Sequence, residues 1–520
     1  MKNLTAKRLF AILLSALLLC SALSPMVYAG ERKIILGEVT PTYPTIYIHG
    51  FASSTIYANL GQEDQYTVWP METDLIMNVV TDAIPKLAAG LLPGNYAMFE
   101  DALVEAVNLI FDGSCNNPDG TTRTNVGVDF TYPTEIAPTD TVRFEYDWRS
   151  DPLAVARDLN DFIDYVLEKT GSDKVAIECH SMGGIILVSY IAQFGDEKIH
   201  GAVLDTTALY GASYIEPLFS NQVVIDGEAV YAYIRGFMKG TDYEDILNWI
   251  FDSLFAAGIF DAIELVGEEL INRSLNRIAI DCLIPVFAYW PSIWAMLPAE
   301  YFEECESFIF DTVLTADDDA EKLLRETVNR YAQTVYPVMD SILENLMAKG
   351  HSMVISRYGL PMPPVCDQWN SMSDTVIDTK YSSYGATTSN YGEKLTEEYV
   401  LANKDKGYLS PDNMVDASTC KFPNNTWFIK DLQHSNGTDA MDNLKTAVLF
   451  GETTIDIYSF DEFPQYLINQ DGSIVPFTEY EEPCINMMYS CGKILQTIRD
   501  KIEAFFLMLR DKLQEMLASA

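Results

Sequence analysis

The run Lys174-Val175-Ala176-Ile177-Glu178-Cys179-His180-Ser181-Met182-Gly183-Gly184 constrains this chain more than any other segment. A β-prone apolar stretch leads straight into a serine with small neighbours and then into a helical pattern over Gly183–Gln193. Where a strand passes into a helix with no loop between them, the residue at the corner takes strained dihedrals. Bulk two residues before or after that corner would clash. Upstream, the helical pattern Pro152–Lys169 enters the strand through Gly171-Ser172-Asp173. The local order is therefore helix, strand, sharp turn, helix.

Further short β-branched and aromatic runs stand at Thr45–His49, Thr141–Tyr146, Lys174–Cys179, Gly201–Thr206, Met353–Arg357 and Thr426–Lys430. Their alternation with longer helical patterns predicts an α/β architecture, a mostly parallel sheet flanked by helices. The strand signal fades between Ser213 and Gly350, where Asp245–Val266 and Ala320–Met347 read as amphipathic helices. This stretch is expected to be a helical cap inserted on the sheet. The acidic run Asp317-Asp318-Asp319 reads as a solvated helix start rather than a calcium site. No internal repeat or low-complexity tract is present.

The two ends read differently from the middle. Lys2, Lys7 and Arg8 precede the apolar run Leu9–Leu19, and Val27-Tyr28-Ala29 supplies small residues for cleavage, so residues 1–29 are expected to be a signal peptide and the protein exported. The apolar run is short for a membrane span. At residues 481–520, Leu495, Ile498, Ile502, Phe505, Phe506, Leu509, Leu513 and Met516 recur at helical spacing. Such a helix packs on its own domain, on a partner or on a membrane surface; the charges interrupting it exclude a bilayer span. Residues 30–480 between these ends form the expected main domain. Lys and Arg number 34 against 75 Asp and Glu, a net charge of -41. That balance excludes a nucleic-acid partner and electrostatic binding to anionic lipid. Of nine cysteines, Cys20 lies in the leader; Cys366 with Cys420, or Cys484 with Cys491, are conceivable pairs in a fold that does not depend on them. No spacing resembles a zinc site, and the chemistry calls for no cofactor.

A serine at such a corner is a candidate nucleophile. The first position of the usual G-x-S-x-G pattern is Cys179, still a small residue that favours burial. The helix beginning beyond Ser181 turns its positive end to where an oxyanion would develop. A second donor is expected from Pro44-Thr45-Ile46-Tyr47-Ile48-His49-Gly50-Phe51, a strand ending in His-Gly. The backbone N–H groups of Phe51 and Met182 are the candidate oxyanion hole, with His49 structural. The serine needs a base, and of five histidines His434 lies in a polar loop after the strand Thr426–Lys430. The acid should precede it in the chain; Ser410-Pro411-Asp412-Asn413 makes Asp412 the first choice, with Asp416, Asp374 and Asp378 as rivals. Phe287, Tyr289, Trp290, Ile293, Trp294 and Met296 crowd a stretch broken by Pro291 and Pro298. Trp290, Trp294 and Met296 are accordingly candidate substrate-binding residues of the cap, the alternative being that they knit the cap to the sheet.

Phe144-Glu145-Tyr146-Asp147-Trp148-Arg149, the His-Ser-Met-Gly-Gly turn, Pro291-Ser292-Ile293-Trp294-Ala295-Met296-Leu297-Pro298 and Tyr358-Gly359-Leu360-Pro361 together resemble the lecithin:cholesterol acyltransferase-like branch of the α/β-hydrolases. The motifs are scattered between Pro44 and His434. The resemblance implies an α/β-hydrolase fold, a triad at Ser181, Asp412 and His434, and acyl esters, often lipids, as substrates. It leaves three activities in play: an esterase or lipase, an acyltransferase sharing the same acyl-enzyme, and a non-catalytic lipid-binding protein on a hydrolase scaffold. Cys179 and the stretch from Phe51 to Pro138 depart from the family pattern.

Overall fold

A computed structural model describes residues 39–479, apart from 72, 91–95, 225–228, 230, 234–235, 237–276, 315–317 and 471. The expected leader, the expected helix at 481–520 and the expected helix at 245–266 lie outside the described residues. Strand β1 (Thr45–Ile48) is followed by three short strands, β2 (Ile56–Ala58), β3 (Tyr66–Trp69) and β4 (Val126–Gly127), which form an antiparallel sheet of their own. Then come β5 (Thr141–Phe144), β6 (Val175–His180), β7 (Ile199–Asp205) and β8 (Met353–Tyr358). β9 (Thr387–Thr388) and β10 (Val415–Asp416) pair with each other, and β11 (Thr426–Lys430), β12 (Tyr466–Gln470) and β13 (Ser473–Pro476) complete the set.

The main sheet has eight strands in the order β13-β12-β11-β8-β7-β6-β1-β5. Every pairing in it is parallel except β12 with β13. All six expected strands are present, within three residues at each end. The two after Thr426–Lys430 were not expected, and they place the strand before the histidine loop in the sheet interior.

Both faces of the sheet are covered, which is why its strands read as continuous apolar runs. Val175, Ile177, Cys179, Leu204 and Val354 face one core, with helices Pro152–Thr170, Gly183–Phe194 and Asp319–Ala348. Ala176, Val203, Met353, Ile355, Trp427 and Ile429 face the other, with helix Asp439–Phe450. Helix Pro152–Thr170 shows why the local sequence works. The Asp151 carboxylate caps the Leu153 N–H at 3.0 Å, Pro152 fills the first turn, and Gly171 ends it at φ 69°.

The expected cap at 213–350 is redrawn at its far end. Its described elements are helical, with no strand among the described residues between β7 and β8. Helix Asp319–Ala348, however, buries Leu324, Val328, Tyr331, Val335, Met339, Ile342 and Leu346 in the sheet core and runs straight into β8. Its apolar stripe is a crossover helix's stripe rather than a cap's. Asp318 caps its start, accepting the Ala320 N–H at 3.0 Å, as a solvated helix start requires. Cys366 and Cys420 are free thiols, so that conceivable disulfide is not formed; Cys484 and Cys491 lie outside the described residues. No helix among the described residues is long and apolar enough to cross a membrane.

Candidate active site

Ser181 sits at the corner between β6 and helix Gly183–Phe194 with φ 55°, a left-handed conformation that a serine adopts only when its surroundings impose it. Three glycines make the corner possible. A Cβ on Gly183 would stand 2.2 Å from the Ile48 carbonyl oxygen, and one on Gly184 2.6 Å from Thr207 Cγ2. A Cβ on Gly50 would stand 2.7 Å from Ser181 Cβ and 3.2 Å from its Oγ. The loop carrying the Phe51 N–H is thus pressed against the turn carrying Ser181 and the Met182 N–H. Cys179, at the other flank, is fully buried and turns inward, its Sγ donating to the Val203 carbonyl at 3.2 Å.

His49 holds the loop from behind. Its Nδ1 donates to the Gly50 carbonyl at 2.7 Å, its Nε2 lies 2.6 Å from Ser54 Oγ, and Tyr146 stacks on its ring at 4.2 Å. The Tyr146 hydroxyl donates to the His49 carbonyl at 2.6 Å. Ser54 Oγ is also 2.6 Å from Glu145 Oε2, and Arg143 pairs with the same carboxylate. Burial first, and then the Arg143 charge, push the His49 imidazole down to about 3, so it stays neutral.

His434 follows β11, and its partner is not the expected one. Its Nδ1 donates to Asp374 Oδ2 at 2.7 Å, with Thr206 Oγ1 at 3.1 Å, and its backbone N–H donates to the Asp374 carbonyl at 2.9 Å. Asp374 is fully buried; its Oδ1 accepts the Val376 and Ile377 N–H groups at 3.0 and 2.7 Å. Burial pushes this carboxyl up, but His434, the Ile377 N–H and Arg357 together hold it below the ordinary carboxylate range.

Asp412 does not reach the imidazole. Its carboxylate takes Lys430 Nζ at 2.7 Å, the Ser410 hydroxyl at 2.7 Å and the Met414 N–H at 3.2 Å, a set that closes a turn rather than orients a base. Asp416 binds the Ser418 N–H and the Tyr399 hydroxyl, and Asp378 binds the N–H and hydroxyl of Ser213. The rival that meets His434 is Asp374, on the loop after β8. The pattern Asp374-Thr375-Val376-Ile377 carried the signal: an aspartate whose own turn supplies N–H donors two and three residues on.

Ser181 and His434 meet through their neighbours. The Ser181 N–H donates to the Asp205 carbonyl at 3.0 Å, the residue before Thr206. His180, next to Ser181, donates from Nε2 to the His434 carbonyl at 2.9 Å, with the two rings 4.6 Å apart. With Nδ1 committed as a donor to Asp374, the acceptor nitrogen of a neutral His434 is Nε2. A buried serine, an imidazole with that tautomer and a loop of backbone donors beside it can together carry acyl transfer.

The candidate cap residues sit in the main core. Trp294 is fully buried, stacked on Phe310 at 5.4 Å and tilted against Phe219 at 4.7 Å, and its Nε1 donates to the Ala288 carbonyl at 2.9 Å. Met296 is buried in the same core. Trp290 packs edge-on to Trp148 at 5.3 Å and stands 6.0 Å from Phe51, so it props the Phe51 loop. These neighbours describe rings that knit the cap to the sheet. Trp294→Ala is expected to cost about 3–5 kcal/mol of stability, read by urea unfolding, and to lower activity equally for short and long acyl chains. A loss confined to long chains, with stability unchanged, would give Trp294 a substrate role instead.

A family model described as the alpha/beta hydrolase fold matches residues 93–259. The chain has the α/β-hydrolase fold. A chain of the Tle4-Tli4 complex is similar over 61% of this chain and 75% of that one, at 12% identity and a TM-score of 0.27, too slight a likeness to argue from. No curated protein matches. Within the hydrolase fold, the Ser181 corner, the Gly50–Phe51 loop and the His434–Asp374 pair all lie at the C-terminal ends of the central strands, where open α/β sheets place their ligand sites.

Proposed function

We propose that the protein is a serine hydrolase that cleaves carboxylic esters, lipid esters among them, through an acyl-enzyme. The observation that carries this reading is the left-handed Ser181 at the β6–helix corner, beside an imidazole whose Nδ1 is bonded to a buried carboxylate. In this reading His434 Nε2 takes the Ser181 hydroxyl proton as Oγ attacks the ester carbonyl carbon. The carbonyl oxygen becomes an oxyanion and accepts the Phe51 and Met182 N–H groups. Collapse of the tetrahedral intermediate breaks the ester C–O bond, and the departing alkoxide takes the proton from His434. Water then repeats the sequence: it gives a proton to Nε2, adds to the acyl carbon and frees the acid and Ser181. Asp374 keeps the imidazole in the working tautomer and stabilises its cation.

The motif resemblance adds that the enzyme falls in the lecithin:cholesterol acyltransferase-like branch, and the basic-apolar leader adds that it works outside the cytoplasm. The test is a fluorophosphonate probe followed by mass spectrometry. Labelling is expected at Ser181 alone and is expected to vanish in Ser181→Ala. A folded wild-type protein that takes no label, or takes it elsewhere, ends this reading.

A further inference from the structure

Behind the His434 loop lies a buried charge cluster that the acyl-transfer steps do not use. Arg357, at 1% exposure on β8, directs Nη2 to Asp205 at 3.1 Å from Oδ1 and 3.3 Å from Oδ2. Its Nη1 donates to two backbone carbonyls, those of Gln433 and His434. Asp205, at the end of β7, is held in turn by Lys445, whose Nζ is 3.0 Å from Oδ2 and 2.7 Å from Glu178 Oε1. The more exposed Asp442 stands 3.9 Å from the same ammonium.

A guanidinium is a rigid fork of donors, and this one bridges a strand-end carboxylate to the main chain of the His434 loop. Few residues could do so. Lysine would supply the charge at one point and lose the bridge. The His434 carbonyl also accepts His180 Nε2, so the backbone of that residue is gripped from two sides, while Asp374 grips its ring. A loop carrying a proton-transfer group gains most from such restraint, because a displacement of about 1 Å at that group costs about 100-fold in rate.

The charges matter as well as the geometry. The groups facing His434 are Asp374, His180 and Arg357, with Asp205, Lys445 and Glu178 behind them. Four carboxylates, Asp442 included, against two cations leave two negative charges, one of which the imidazolium formed during turnover cancels. Arg357 sets part of that balance from beside the loop without reaching the substrate.

We propose that Arg357 is a positioning residue for His434, its guanidinium anchored on Asp205 and clamping the backbone of the histidine loop. The inference rests on His434 as the base, and its test includes a measurement that needs no turnover. Two variants separate clamp from charge. Arg357→Lys keeps the cation and loses the fork: kcat is expected to fall about 100-fold with KM within about twofold. Arg357→Gln removes the cation and leaves the Asp205 carboxylate near His434, so both changes favour the imidazolium. The His434 titration, followed by NMR in protein with labelled histidine side chains, is then expected to move to higher pH. The acidic limb of kcat/KM should move to higher pH with it. If Arg357→Lys turns over like the wild type, or if Arg357→Gln leaves the His434 titration in place, Arg357 is only packing and the proposal fails. A wild-type protein unreactive to fluorophosphonate would overturn the esterase reading alone, and the histidine titration would still decide the role of Arg357.

Discussion

Asp374→Asn is expected to lower kcat by about 10⁴ while the protein stays folded. The asparagine would keep its Oδ1 on the Val376 and Ile377 N–H groups, which fixes its amide NH₂ towards His434. Nδ1 must then accept a hydrogen bond instead of donating one. The proton moves to Nε2, where it blocks the nitrogen that should take the serine's proton. Asp412→Asn is the matched control. It breaks the ion pair with Lys430, so the melting temperature should drop, but kcat should stay within about threefold because no atom of Asp412 touches the imidazole. Esterase kinetics on the two variants decide it. Near-normal turnover in Asp374→Asn with collapse in Asp412→Asn would reverse the assignment.

The second large effect is on stability against pH. His49 is wholly buried and His180 half-buried, and both are pushed down to about 3, by burial first and then by Arg143 and His434 respectively. An unfolded histidine titrates at about 6.5. Below that pH the unfolded chain gains protons that the folded chain refuses, so folding stability falls as pH falls. The loss begins near the unfolded value and would end only near the folded one. Each histidine contributes a slope of about 1.4 kcal/mol per pH unit, so the pair should cost about 4 kcal/mol between pH 7.5 and 5. Carboxylates titrate mostly below that window. Urea unfolding at three pH values measures the slope, and His180→Asn should remove that histidine's share of it. A flat profile would mean that neither imidazole is held neutral. The effect is large beside a typical total stability of about 5–15 kcal/mol.

Much of this molecule was legible in its sequence, for reasons that differ by element. The strands of the main sheet were legible because a parallel sheet covered on both faces needs unbroken apolar runs, and β6, β7 and β8 are such runs. The Ser181 corner was legible because sterics there leave few residue choices. The acid was not, because chain order and turn character describe Asp412 and Asp374 equally well. Only the fold reveals that Asp412 is claimed by Lys430, a neighbour supplied by β11. The small sheet of β2, β3 and β4 was missed for a related cause, its strands being two to four residues long. Arg357 stayed hidden inside a strand pattern: its role comes from Gln433, His434 and Asp205, and no local spacing encodes them.

The two flanks of the serine corner are not equivalent. On the helix side a single added carbon would collide with the Ile48 carbonyl, part of a backbone that the sheet holds in place. On the strand side a whole thiol finds room and a hydrogen-bond acceptor. A two-glycine signature therefore joins letters of unequal meaning. The later glycine encodes the path of the chain, whereas the earlier position encodes only what the neighbouring strand leaves vacant. A search pattern that demands both would pass over proteins built like this one. One that fixes the later glycine and admits any small side chain before the serine follows the actual steric rule.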